Sequence, residues 1–124
     1  MNLGPKKLKA INQYLILKMD VNDKDFEQEV LKSNLPVLIE FWASWCVPCK
    51  AMDYVLNELE EEFNGKIKIC KLNVDRNRIV PKKYEITGIP TFMWFKNDKI
   101  IDSRIGALSK KDLKEIIKNI LLNL

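Results

Sequence analysis

Between Val37 and Trp42 the chain reads Val-Leu-Ile-Glu-Phe-Trp, apolar at every position but one. A nearly continuous run of this length suits a central strand covered on both faces, and Glu40 is the position that breaks it. From Cys46 onward Met52, Val55, Leu56, Leu59 and Phe63 recur at helical spacing, and Gly65 stands where a helix of that length stops. The two segments predict a strand-turn-helix with Cys46 and Cys49 at its joint.

The pattern continues in both directions. Residues 14–19 (YLILKM) predict a first strand, after which Asn22 or Asp23 offers an N-cap to a helix carrying Phe26, Val30 and Leu31, ended by Leu35-Pro36. Downstream, 67–74 predicts a strand and 77–84 a short helix despite Pro81, while 91–95 and 99–105 predict two strands around the turn Lys96-Asn97-Asp98. A last helix begins at Leu108 or Ser109, with Leu113, Ile116, Ile117, Ile120, Leu121 and Leu124 on one apolar face. The order βαβαβαββα implies an α/β layer fold, parallel at first and closing on an antiparallel hairpin. No internal repeat or low-complexity stretch interrupts it. Residues 1–13 hold Gly-Pro, a lysine cluster and only Leu8 and Ile11 as spaced apolar positions; they read as a flexible or loosely packed extension to a single domain at 14–124.

Composition excludes several function classes. A chain of 124 residues, 47% of them hydrophobic, closes one core. Its apolar runs are far shorter than the roughly 20 residues of a membrane span, and no secretory pattern follows the N-terminal lysines. The expectation is a cytoplasmic protein without a membrane partner. The net charge of +4 comes from lysines scattered among glutamates, not from a basic arm interleaved with aromatics, so nucleic acid is not indicated. Three cysteines are too few for a multi-bridge secreted scaffold. The absence of histidine removes imidazole bases, Cys-His nucleophile pairs and Cys/His zinc sites.

Spacing alone does not separate a redox dithiol from a metal knuckle. A tetrahedral zinc site needs a second pair of ligands, and only Cys70 remains. As a staple the pair is poor, since closing so small a ring gains only about 2 kcal/mol before strain. At the first turn of a helix, by contrast, Cys46 and Cys49 share one face at i and i+3, and Pro48 fits where its missing N–H does least harm. Free amides and the positive end of the helix dipole then stabilise a Cys46 thiolate and lower its pKa. Cys46 is the expected nucleophile and Cys49 the resolving thiol, exchanging with a target disulfide through a mixed disulfide. Glu40, set among apolar neighbours, is expected to be buried with a raised pKa. Cys70, Met52 and Met93 read as packing.

Four blocks, Phe41 to Lys50 (FWASWCVPCK), Lys71 to Asp75 (KLNVD), Gly88 to Thr91 (GIPT) and Gly106 to Lys110 (GALSK), stand in an order that resembles thioredoxin, from about Leu15 to the C-terminus. The resemblance implies a thioredoxin-like fold, a central mixed sheet of about five strands flanked by four helices. It implies a monomeric protein disulfide reductase that binds no cofactor beyond its own Cys46–Cys49 disulfide. Its partners are then disulfide-containing client proteins, with a thioredoxin reductase as electron donor. It puts Glu40 at the family's buried aspartate, with Lys71 as the lysine partner and a role in taking the Cys49 proton. It also implies a cis Ile89–Pro90 bond, and a docking surface of Trp45, Val47, Pro48, Val74, Gly88, Ile89, Gly106 and Ala107 for an extended substrate segment.

The chain departs from that family at four places. Val47-Pro48 replaces the usual Gly-Pro between the cysteines, Tyr54 stands at a common helix-kinking proline, and Glu85 and Asp98 occupy positions usually held by glycine. The bulk of Val47 beside Cys46 leaves open a specialised isomerase or oxidoreductase for a narrow client. Two other readings remain: a non-catalytic docking module using the same surface, and a metal carrier bridging two chains through Cys46 and Cys49.

Overall fold

A computed structural model describes residues 19–124. The expected extension at 1–13 and all but the last residue of the expected first strand at 14–19 lie outside the described residues. Val37, Leu38, Ile39 and Phe41 are wholly buried in strand β1 (Val37–Trp42), as a strand covered on both faces must be. β1 pairs in parallel with β2 (Lys68–Asn73) and antiparallel with β3 (Thr91–Lys96), which pairs antiparallel with β4 (Lys99–Ile105). The order across the sheet is β2-β1-β3-β4. Beyond β2, the backbone of Met19 and Val21 brackets Lys71 with bonds of 3.0 and 2.8 Å, a parallel bridge at Asp20.

Alternation along the strands sorts the core into two layers. Val37, Ile39, Phe41, Cys70, Leu72, Met93 and Phe95 face one side. There they meet Phe26 and Val30 from the π-helical turn α1 (Glu27–Leu31) and its lead-in, and Val80 from α3 (Ile79–Lys83). Leu38, Ile69, Phe92 and Trp94 face the other, under α2 (Val47–Glu62) and α4 (Lys110–Leu122). The helical periodicity is confirmed there, with Met52, Leu56 and Leu59 of α2 and Leu113 and Ile117 of α4 buried. Leu124 lies past α4 and is exposed. β4 is the exposed edge, and Lys99, Asp102 and Arg104 along it discourage further pairing.

The helix starts follow from local hydrogen bonding. Asn22 Oδ1 accepts from the amides of Lys24 and Asp25 at 2.9 and 3.0 Å while Asp25 Oδ1 accepts from Asn22 N at 2.7 Å, a reciprocal box ahead of α1. Asp23, the other candidate cap, serves α3 instead: its carboxylate accepts from Ile79 N and Val80 N at 3.1 and 2.9 Å. Asn77 is not a helix start but a buried tie, accepting from Asp23 N and donating to Asn73 O. Ser109 caps α4 by accepting from Asp112 N at 3.1 Å.

Both positions where the resemblance implies glycine lie in the left-handed region. Asn97 and Asp98 have φ 51° and 65°, which makes a two-residue hairpin turn of the kind that matches sheet twist, and short polar side chains tolerate it. Glu85 has φ 54° at the end of α3, where Glu85 N bonds Lys82 O and Ile86 N bonds Pro81 O, the double bond of a Schellman cap. Glutamate there keeps the cap but not glycine's steric freedom. Glu85→Gly is expected to raise stability by about 0.5 to 1 kcal/mol, the left-handed cost less the added entropy of the unfolded chain. Urea unfolding at neutral pH measures it; a loss of stability contradicts the strain.

Candidate functional site

The chain leaves the C-terminal end of β1 through Ala43, Ser44 and Trp45 and turns directly into α2. Cys46 N donates to Ala43 O at 3.1 Å, and Cys46 holds extended backbone angles as the N-cap, so α2 begins one residue later than the pair's spacing suggests. Its Sγ accepts from Cys49 N at 3.2 Å, and Pro48 sits in the first turn, where no amide is missed. The sulfurs of Cys46 and Cys49 are bonded to each other across a Cα separation of 5.3 Å. Cys46 is 4% exposed and Cys49 only 1%, so the pair is sunk at the rim with Cys49 the deeper residue. With Ala43 they form a small cluster, against which Trp42, Val74 and Ile89 pack.

The residues expected around the pair converge only in part. Ile89–Pro90 is cis, Pro90 is buried, and Thr91 Oγ1 donates to Gly88 O at 2.5 Å, fixing the loop that carries Ile89 to the disulfide. Gly106, at φ 95°, donates its amide to Pro90 O at 2.7 Å, tying the end of β4 to the same loop. Gly88 has a steric reason as well, since a Cβ there would stand 3.3 Å from Ile105. Val74 donates to Trp42 O at 2.9 Å and packs on the cluster. Trp45 and Val47 are 67% and 75% exposed, and Pro48 and Ala107 are exposed as well. Two neighbours are not legible from the motifs. Asp75 accepts from Trp45 Nε1 at 2.9 Å and holds the ring outside the core, and Ile105 adds an exposed apolar side chain next to Gly106.

Glu40 is wholly buried on the α2 face of β1, opposite Lys71 of β2. Its carboxyl is pushed up from 4.5 to about 8, chiefly by burial, with Lys71 opposing and Asp53 adding to the rise. Lys71 is an incomplete partner. Its Nζ stands 3.9 Å from Glu40 Oε1 but bonds Asp53 Oδ1, and lies 4.2 Å from the centre of the Trp42 ring. Neither Glu40 oxygen has a hydrogen-bond partner. Cys70 lies on the opposite face of the sheet from α2, wholly buried, and desolvation pushes its thiol up to about 12. It is inert packing, with no route to the cysteine pair. Among the described residues no group of three or more Cys, Asp or Glu is arranged to hold a metal ion.

A mixed α/β sheet that delivers a vicinal cysteine pair to the start of a helix, beside a cis-proline loop, defines the dithiol-disulfide oxidoreductases. The thioredoxin family model matches residues 17–119. The chain is 48% identical over 95 residues to a thioredoxin of Pseudomonas aeruginosa, covering 77% of this chain and 88% of that one. It is 46% identical over 100 residues to a thioredoxin of Rickettsia bellii, covering 81% and 95%, and 44% identical over 99 residues to one of Haemophilus influenzae, covering 80% and 92%. The chain belongs to the thioredoxin family, and is a protein disulfide oxidoreductase whose redox centre is its own cysteine pair.

The buried carboxyl couples stability to pH. The unfolded chain releases the Glu40 proton near 4.5 and the folded protein near 8, so the folded state binds more protons in between. Stability therefore falls as pH rises through that window and levels off above it. Glu40→Gln is expected to remove this fall, its advantage over wild type growing to a few kcal/mol by pH 8. Urea unfolding of the two oxidised proteins across that range reads the difference; parallel curves contradict it.

Proposed function

We propose that the protein is a reductase of client disulfides, with Cys46 as nucleophile and Cys49 as resolving thiol. The observation that carries this is the Cys49 amide donated to Cys46 Sγ at the N-cap of α2. When the disulfide is opened, that amide and the helix dipole meet a Cys46 thiolate and stabilise it. The thiolate attacks one client sulfur, the client S–S bond breaks, and the departing client thiolate takes a proton from water. Cys49 then gives its proton to Glu40 and attacks Cys46 Sγ. The Cys46–client bond breaks, the second client thiolate leaves and is protonated, and the Cys46–Cys49 bond reforms. Two electrons have passed to the client, and a thioredoxin reductase returns two to the pair.

Trp45, Val47, Pro48, Val74, Gly88, Ile89, Gly106 and Ala107 form the client-facing rim in this reading, with Lys71 and Pro90 positioning the centre. The backbone of Ile89 pairs with an extended client segment, as an added strand does at a sheet edge. The protein works as a cytoplasmic monomer, with residues 14–124 as its domain and 1–13 as an extension. The free Cys70 thiol suits a reducing compartment, and among the described residues no helix is long and apolar enough to cross a membrane.

Reduction of insulin disulfides by dithiothreitol, with and without the protein, tests this. Catalysis is expected from wild type, Cys46→Ser is expected to abolish it, and Cys49→Ser is expected to accumulate a mixed disulfide with the client. An uncatalysed rate with both thiols free favours the docking module instead. Val47, exposed beside Cys46, favours the isomerase as second reading. A dithiol potential near that of protein disulfide isomerase, measured against glutathione, replaces reductase by isomerase.

A further inference from the structure

Lys71 serves two carboxyls and bonds only one. Its Nζ hydrogen-bonds Asp53 Oδ1, while Glu40 Oε1 is left 3.9 Å away and unbonded. Asp53 stands four residues after Cys49 on α2, so it lies one turn further along the same helix face. The two carboxyls differ in solvent access: the Asp53 side chain is 32% exposed, the Glu40 side chain not at all. The groups that face Glu40 are Lys71 from β2, Asp53 from α2 and the apolar Phe92 opposite it on β3.

We propose that Asp53 is a positioning residue for proton exchange at Cys49: by bonding Lys71 it withholds the counter-ion from the buried, unbonded Glu40 carboxyl. The proposal rests on Glu40 serving Cys49, as described above. When a donor thiolate attacks Cys46 Sγ and opens the disulfide, the S–S electron pair goes to Cys49, whose thiolate takes the Glu40 proton. In resolution the proton returns to Glu40 as Cys49 attacks. An ordinary carboxylate is a poor acceptor here, because its pKa lies about four pH units below that of a thiol. Glu40, pushed up to about 8, nearly matches one, so the proton moves either way with little bias.

Asp53→Asn keeps the shape and removes the charge. Lys71 is then free to bond Glu40, and both effects favour the Glu40 anion. The test is a carbon NMR titration of glutamate-labelled oxidised protein, with the Glu40 carboxyl assigned by its loss in Glu40→Gln. The Glu40 midpoint is expected to fall by about one pH unit or more in Asp53→Asn and to recover in Asp53→Glu. An unchanged midpoint overturns the proposal. Asp53→Ala gives the same readout should Asp53→Asn not fold. Single-turnover resolution of the mixed disulfide across pH separates the two layers: its inflection is expected to move with the NMR midpoint. A midpoint that falls while the inflection stays removes Glu40 from the mechanism and leaves the electrostatic hold of Asp53 on Glu40 standing.

Discussion

One backbone amide organises the site: the N–H of Cys49, free because it lies in the first turn of α2, points at Cys46 Sγ. It can do so only because β1 is locked at the centre of the sheet and the chain leaves it straight into the helix. Five of its residues show no exposed surface, so the strand cannot slide without breaking both core layers. The pair of thiols is therefore held at a helix start by the whole core, not by the three-residue turn before it. The cis-proline loop, tied to Gly106 and to Thr91, closes the other side and brings Ile89 against the disulfide.

The two faces of the sheet treat sulfur in opposite ways. On the α1 and α3 face Cys70 is surrounded by hydrocarbon and its thiol is driven up to about 12, out of reach of exchange at physiological pH. On the α2 face Cys46 and Cys49 meet a helix terminus, and Glu40 is set into the strand beneath. Lys71 stands between Glu40 and Asp53, stacked on Trp42, and its division between the two leaves Glu40 a weak acid. Burial supplies most of that effect, and the sharing of Lys71 sets how far it is relieved. A buried, unbonded carboxyl costs stability, the pattern expected where local consistency yields to chemistry.

Much of this is legible in the sequence, for reasons that differ by element. β1 and α2 are written as burial patterns, one continuous and one periodic, so their place and the cysteines at their joint follow directly. α3 is shorter than its pattern because Asn77 is drawn into a tie with Asp23 and Asn73, a contact over more than fifty residues that no local signal carries. The burial of Glu40 follows from its neighbours. That Lys71 prefers Asp53 does not, since Asp53 reads as one more polar residue on an amphipathic helix until α2 is laid across β2. Glu85 and Asp98 look like plain departures from the family, and only the structure shows that both hold the positive φ that suits glycine. The cis state of Pro90 is likewise a tertiary fact, implied by resemblance alone.

The central claim is that the α2 terminus makes Cys46 an unusually acidic thiol. Cys49→Ser isolates it, because Cys70 does not ionise until about pH 12. Titration of that protein by ultraviolet thiolate absorbance is expected to show a midpoint below the roughly 8.5 of free cysteine. A midpoint at or above that of free cysteine contradicts the account.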